Sequence, residues 1–437
     1  MTTDAPHASS TTHRDHDPET RRKRLERMAR LARAYRGWSA GELGIALGRE
    51  NTRIAPPSGV PKLDLVARLA EALDWDIGEV AARLWGARGD DAGGTERRGA
   101  SFAELDERAQ VEHRAGAYDE MERTACAMRA RARSARERAI AANRLAGACD
   151  GLGQYQRVLE AVRGGLSERG IGADVRTMLT INLANASYTL WNLHETRAIA
   201  EGVLDRFAGE PPRSRLERVA QSFARALRGH ARRRALETCD GEREFAACAA
   251  AAAGDLAEAA RLFGELHDEF GDGQYAGLAH TARGGLLEAR VAAGEREPFD
   301  ALDEILSELD GFVDLDGVPS PHAIESAGWW SVFGANIAAR AGEHGAAGMR
   351  ERAGLEQALA VCSGKTAEVG EHLGNWSMRE RAFSMEWRRR SDARGEGAGI
   401  EWTLDTEDLR ALIGTMGRLP FFRPRGWAIL DAAVLAT

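Results

Sequence analysis

A short arrangement of residues returns along the middle of this chain, and it constrains the fold more than any other feature. In Gly254-Asp255-Leu256-Ala257-Glu258-Ala259-Ala260-Arg261-Leu262-Phe263, a glycine is followed two positions later by a bulky residue and three further on by a small one. Glycine ends a helix at low cost because it enters the left-handed region freely. The same order stands at Gly116-Ala117-Tyr118 with Met121 and Ala125, and at Gly153-Gln154-Tyr155 with Val158 and Val162. Weaker copies begin at Gly294 and at Gly342-Glu343-His344 with Ala347, and Leu183 to Phe207 holds material for another. Ala142, Leu145, Ala146 and Cys149 supply a facing stripe on an upstream helix. Such a chain is expected to stack helix pairs, each burying its apolar face on the next.

The intervals are 37 residues from Gly116 to Gly153, 40 from Gly254 to Gly294 and 48 from Gly294 to Gly342. Turn and second helix resemble those of tetratricopeptide repeats, whose regular unit is about 34 residues. The resemblance spans residues 101–390, and no copy matches in full. It implies an all-α fold whose body is an α-solenoid of degenerate helix pairs, with a concave face for a peptide or protein ligand. On helices expected over Arg136–Asp150 and Met178–Leu190, Asn143, Asn182, Asn185 and Tyr188 stand among small apolar residues. Asparagine both donates and accepts, which suits a grip on extended peptide backbone. The plainer reading has these side chains satisfying neighbouring helix ends or facing solvent, and the plainer reading of the glycines is an irregular bundle.

A second pattern precedes the body. Arg21 to Arg36 is a basic helix with Leu25, Met28, Ala32 and Tyr35 on one face and Glu26 as its lone acid. Ser39 with Glu42 forms a capping box for the next helix, Trp38 staples onto Leu43, and Leu47 turns inward before Gly48 ends it. Pro61 to Leu73 is amphipathic through Leu65, Val66, Leu69 and Leu73, and Asp76 with Glu79 caps a last helix ending near Leu84 and Trp85.

Trp38-Ser39-x-x-Glu42-Leu43, Leu47-Gly48, Ile54, Pro61-x-Leu63-x-Leu65 to Ala72-Leu73 and Val80 resemble the lambda-repressor-like (Xre) helix-turn-helix family over about 60 residues. That resemblance implies a recognition helix after Gly48, reading duplex DNA. Here Arg49-Glu50-Asn51-Thr52-Arg53-Ile54-Ala55 runs into Pro56-Pro57, and proline forbids continuation of the helix. The segment is about one turn shorter than the family's. Arg49, Asn51, Thr52, Arg53 and Lys62 are the candidate DNA contacts, arginine suiting guanine and asparagine adenine. The competing reading makes them a solvated loop on a head that no longer binds DNA.

The expected organisation is a polar tail over 1–19, the head over 20–86, a Gly-rich linker over 87–100, the repeat body over 101–390, and a C-terminal loop and helical segment over 391–437. No apolar stretch approaches the roughly 20 residues of a membrane span, and the tail lacks the apolar core of a secretory signal. A cytoplasmic location is expected. Five scattered cysteines speak for reduced thiols rather than disulfides or zinc. Arginines number 56 against three lysines, a bias of composition before it is a sign of function, and the net charge of -8 argues against a molecule that coats nucleic acid as a whole.

Several motifs tempt and fail. Ser363-Gly364-Lys365-Thr366 lacks a P-loop's first glycine, Leu359 standing there, and Asp314-Leu315-Asp316-Gly317 would need calcium ligands at Phe312 and Ala323. His194, His230 and His280 are isolated, and Trp329-Trp330 suits packing between helices. No catalytic signature occurs, so no enzyme and no cofactor are expected. The pairing of an Xre-like head with a tetratricopeptide-like body implies a transcriptional regulator that binds double-stranded DNA and a peptide or protein, with a homodimer compatible. The alternative is a scaffold that binds protein alone.

Overall fold

The computed structural model describes residues 18–49, 55–56, 60–73, 75, 77–85, 99–239, 241–318, 320–343, 348–392 and 402–435. Among them nineteen α-helices carry nearly all the regular structure, so the chain is all-α. Its contacts divide it into two compact units, Met1–Ala92 and Gly93–Thr437.

The first unit holds α1 (Pro18–Arg36), α2 (Ala40–Ala46), α3 (Leu63–Leu73) and α4 (Ile77–Trp85). Helix α1 begins within the stretch expected as tail. Leu25, Met28, Ala29 and Ala32 of α1 bury against Leu43, Leu47, Leu65, Leu69, Leu73, Val80 and Leu84, with Trp38 packed on the same cluster. Tyr35, expected on the apolar face, is instead 61% exposed. Beyond Ala32 the helix makes polar contacts instead: exposed Arg36 donates from Nε to the Ala72 carbonyl (2.9 Å) and from Nη2 to that of Glu71 (3.0 Å). Arg36 thus closes the C-terminal end of α3, where orphan carbonyls need donors. The capping box stands as expected: Ser39 N donates to Glu42 Oε2 (2.7 Å) and Glu42 N to Ser39 Oγ (3.3 Å). Ile54 and Asp76 lie outside the described residues.

The second unit holds α5 (Phe102–Arg114), α6 (Tyr118–Arg131), α7 (Ala135–Gly151), α8 (Tyr155–Ser167), α9 (Ala173–Thr189), α10 (Leu193–Gly209), α11 (Arg215–Ala235) and α12 (Glu242–Phe270). It continues with α13 (Gly273–Ala292), α14 (Pro298–Leu309), α15 (Pro321–Glu343), α16 (Met349–His372), α17 (Trp376–Asp392), α18 (Thr406–Arg418) and α19 (Arg423–Ala432). Ser-x-x-Glu capping boxes start α5, α7 and α11. Each helix packs on its neighbour in sequence, and from α5 to α17 each odd-numbered helix also packs on the next odd-numbered one.

Three expected turns exist. Gly116, Gly153 and Gly294 adopt φ of 69°, 68° and 73° between α5 and α6, α7 and α8, and α13 and α14. The turn expected at Gly254 does not: α12 runs unbroken through it for 29 residues. Helix persists because alanines precede the glycine, and because Asp255 is drawn against α11 by Arg225, Arg228 and Arg232. Gly342 sits in the last turn of α15, and residues 344–347 that follow lie outside the described residues. The turn between α9 and α10, within the expected Leu183–Phe207, uses Trp191 at φ 63°.

The C-terminal segment joins the body's core. Trp402, Leu404, Leu412, Met416, Leu419, Phe422 and Ile429 bury with Ala146, Tyr155, Val158, Val162 and Leu179 of α7, α8 and α9. Thr403–Leu404 pairs in parallel with Val434–Leu435. Gly153 meets this seam: a Cβ there would lie 2.4 Å from Trp376 Cδ1, and Arg418 stacks on the Trp376 ring (3.8 Å). Tyr155 and Ser377 hydroxyls bond across it (3.3 Å). The residues expected as linker over 87–98 and as loop over 393–399 lie outside the described residues.

Candidate functional site

The C-terminal segment packs on α7–α9, and its Phe421 meets Trp191 just after α9. Tyr188 and Trp191 at the end of α9, His230, Arg233 and Arg234 in α11, Glu288 in α13, Phe333 and Asn336 in α15 and Arg381 in α17 meet there. Between some of them lies a small recess of about 10 Å³, room for a single water, lined by Trp191, Arg233, Arg234, Glu237, Glu288, Val332, Asn336 and Arg381.

Charge is distributed unevenly around it. Arg233, Arg234 and Arg381 are only 3%, 7% and 8% exposed. Glu288 takes Arg233 Nη1 (2.6 Å), Arg340 (3.6 Å) and Asn336 Nδ2 (3.2 Å). Among the described residues Arg234 makes no ion pair: its Nη1 donates to the Tyr188 carbonyl (3.1 Å), it lies over the rings of Tyr188 (3.8 Å) and Trp191 (4.8 Å), and the Glu380 charge reaches it from farther off. Arg381 is alike, donating to Asn336 Oδ1 (3.1 Å) and facing the Trp191 ring (5.5 Å). Burial pushes the Arg234 guanidinium down to about 10, with Arg233 and Arg381 adding repulsion. The other buried carboxylate nearby, Glu380, accepts the Ser384 hydroxyl (2.7 Å).

Trp191 is the one non-glycine with positive φ among the described residues. It occupies the place that glycine holds in the turns after α5, α7, α13 and α16. A bulky residue there costs about 1–2 kcal/mol, and strain of this kind gathers at functional sites. The backbone turn aims the indole between Arg234 and Arg381 and against Phe421 (5.6 Å). Sequence reasoning passed over Trp191, Arg234 and Arg381. The tryptophan in a glycine slot was the available signal.

The expected groove residues divide. Asn182 Nδ2 donates to Asn143 Oδ1 (2.7 Å), so these two side chains tie α9 to α7 through each other rather than through helix ends or solvent. Asn185 is half-buried and makes no side-chain hydrogen bond among the described residues. Tyr188 stands behind the recess, its ring between Arg234 and His230. Burial depresses the His230 imidazole well below its usual range, as a neutral ring stacked on Phe333 requires.

Of the expected DNA contacts, Asn51, Thr52 and Arg53 lie outside the described residues. Arg49 is half-buried, its N–H closing the turn on the Gly44 carbonyl (2.8 Å), and Lys62 is exposed where α3 begins. In α1, Arg27, Arg30 and Arg33 are exposed, whereas Arg22 and Lys23 pair with Glu19.

The P-loop lookalike is helix interior: Lys365 donates to the Phe312 carbonyl (3.0 Å) and pairs with Glu368, while Thr366 bonds Ser331. Trp330 packs on His280 (4.5 Å), and His194 is exposed. Among the described residues no His, Cys, Asp and Glu cluster is arranged for a metal, and no helix is long and apolar enough to cross a membrane. Compared with family models, curated proteins and solved structures, the chain matches none.

Proposed function

We propose that this protein is a ligand-responsive transcriptional regulator, with a degenerate Xre-like head that contacts duplex DNA and a tetratricopeptide-like α-solenoid that binds a peptide or protein partner. The observation that carries the binding role of the body is the pair of buried guanidiniums, Arg234 and Arg381, which make no direct ion pair among the described residues beside a small recess. Such charges cost stability unless something anionic completes them. Packing of odd-numbered helix on odd-numbered helix supports the solenoid reading. For the head, support comes from the capped α2, its Gly48 turn, and the exposed Arg27, Arg30, Arg33 and Lys62.

The test is fluorescence anisotropy of the full chain with duplex DNA over rising salt. Phosphate contacts release counterions, so affinity falls log-linearly with salt. Replacing Arg49 and Arg53 together by alanine should erode sequence preference more than total affinity. A scaffold without DNA binding is the second reading, favoured by Arg36 being consumed in closing α3. Absence of binding at low salt would establish that reading instead.

A further inference from the structure

Two of the five cysteines stand together where α11 gives way to α12. Helix α11 ends at Ala235, a single turn follows over Leu236–Thr238, and α12 begins at Glu242. Cys239 lies in that connection and Cys248 in the second turn of α12. The Cys239 thiol donates to the Ala235 carbonyl (3.5 Å), and the Cys248 thiol donates to the Arg232 carbonyl (3.4 Å). Those carbonyls are about one helical turn apart. The two sulfurs therefore sit side by side over the end of α11, within hydrogen-bonding reach of each other. Both side chains are partly exposed. A hydroxyl would serve either carbonyl better than a thiol, which is a weak donor. The remaining cysteines are placed otherwise. Cys149 and Cys362 are buried, which pushes their thiols up to about 11 and about 12 and keeps oxidants away. Cys126 is partly exposed, but the thiol it lies near is that of buried Cys149.

From this placement we propose that Cys239 and Cys248 are a reversible redox pair, forming an intramolecular disulfide that staples the start of α12 to the end of α11. The oxidant is a small-molecule disulfide of the glutathione class. One cysteine loses its proton to solvent, and its thiolate attacks a glutathione sulfur. The glutathione disulfide bond breaks, a protein–glutathione disulfide forms, and one glutathione thiolate leaves and takes up a proton. The second cysteine, also as thiolate, attacks the protein sulfur of that mixed disulfide and displaces the other glutathione. Two protein thiols are thereby oxidised by two electrons, and glutathione disulfide is reduced to two thiols. Burial, with the neighbouring Cys248 and the Glu244 charge, pushes the Cys239 thiol up. That slows its attack and suits a pair that stays reduced until oxidant accumulates. Oxidation removes both S–H donors, yet the Ala235 carbonyl keeps the Thr238 hydroxyl (2.9 Å). The bridge closes a loop of eight intervening residues, 240–247, and so limits the freedom of the unfolded chain.

The test incubates the full chain with oxidised glutathione, blocks free thiols with iodoacetamide, and maps the tryptic peptides by mass spectrometry. Cleavage after Arg234, Arg243 and Arg261 puts Cys239 and Cys248 on separate peptides, 235–243 and 244–261, so their bridge appears as a linked pair. That pair should outweigh every other oxidised product about tenfold at any protein concentration, because a neighbouring thiol acts at high effective concentration. The oxidised protein should melt about 3 °C or more above the reduced one, and dithiothreitol should erase the difference. Cys239→Ser and Cys248→Ser should each abolish the linked pair and the shift. A product that stops at the glutathione adduct, bridges between chains, or a Cys126–Cys149 bridge in its place overturns the proposal. So does an unchanged or lower melting temperature in the oxidised wild type, which would mean that the bridge strains the connection. The pair is read without DNA or peptide, so its failure and that of the regulator reading are separate results.

Discussion

Gly153-Gln154-Tyr155 and Gly254-Asp255-Leu256 share one sequence pattern and take opposite structures. At the first, α7 stops, Gly153 N donates to the Asp150 carbonyl (2.9 Å) and Gln154 N to that of Cys149 (2.8 Å), and the chain reverses into α8. At the second, the helix passes straight through an exposed glycine. What surrounds each glycine decides. Gly153 lies under Trp376 and Arg418, where no side chain fits. A Cβ on Gly254 would meet nothing within 4 Å. Gly254 follows the alanine-rich run Ala246–Ala253, and a helical glycine costs only about 1 kcal/mol relative to alanine. That is a small term beside what Asp255 contributes next door.

The two nearby aspartates differ in the same way. Asp255 is 3% exposed and accepts from Arg225 (3.0 Å), from Arg228 (2.7 and 2.8 Å) and from Arg232. Asp150 pairs with no arginine among the described residues, and burial, reinforced by the Glu325 charge, lifts its carboxyl to about 6. One region is held by charge and the other by shape.

The largest effect is therefore expected from Asp255→Ala. Removing one partner of a buried ion cluster strands the others, costing about 3–5 kcal/mol, to be read as a fall in the urea midpoint. A loss under about 1 kcal/mol would mean that the alanine run alone keeps α12 whole. Next comes Gly153→Ala. Left-handed strain of about 1–2 kcal/mol joins an overpacking cost of about 1–3 kcal/mol against Trp376. Its measurement is the same denaturation curve, and a near-neutral result would show that Trp376 yields without resistance.

What was legible in the sequence follows from range. Ser39 with Glu42, the Gly48 stop, and the turns at Gly116, Gly153 and Gly294 are settled within a few residues, and these were readable. Tyr35 was misplaced because the buried stripe of α1 ends at Ala32, and the last turn is held instead by Arg36 bonding carbonyls of α3, a partner 36 residues away. Gly254 was misread because Arg225, Arg228 and Arg232 look like any solvated helix face until α12 lies against them. The recess was invisible for the same reason: Trp191, Arg234 and Arg381 come together only when α17 reaches the inner face. Asn143 and Asn182 stand out among small apolar residues, and each has the other as its partner, 39 residues away.

A smaller effect distinguishes the aspartates by pH. Asp150 has a folded pKa of about 6 against an unfolded value near 3.8, so the native state holds the proton more tightly. Its contribution is fully present below about pH 4 and is lost as pH rises through about 6, amounting to about 3 kcal/mol at most. Asp150→Asn should flatten that part of the melting-temperature profile and raise stability at neutral pH. If wild type and Asp150→Asn lose stability in parallel from pH 4 to 7, the dependence belongs to another group, and the seam near Gly153 is wetter than its packing indicates.

The smallest effect is the sharpest on the comparison itself. Gly254 is helical, exposed and surrounded by open space, so a methyl group should meet no obstacle while the unfolded chain loses freedom. Gly254→Ala should therefore stabilise the protein by about 0.5–1 kcal/mol, visible as a rise in melting temperature and in the urea midpoint with an unchanged slope. A turn with positive φ would respond the other way, because alanine is strained there and the helix end would be pushed out of place. The sign of this one substitution thus separates the two structures that the shared pattern allows. Paired with Gly153→Ala it forms an internal control: identical chemistry at two glycines of like sequence, one expected to lower stability and the other to raise it. Loss of stability at both positions would mean that α12 breaks at Gly254 as α7 does before Gly153, and that the arginines of α11 do not hold Asp255 in a continuous helix.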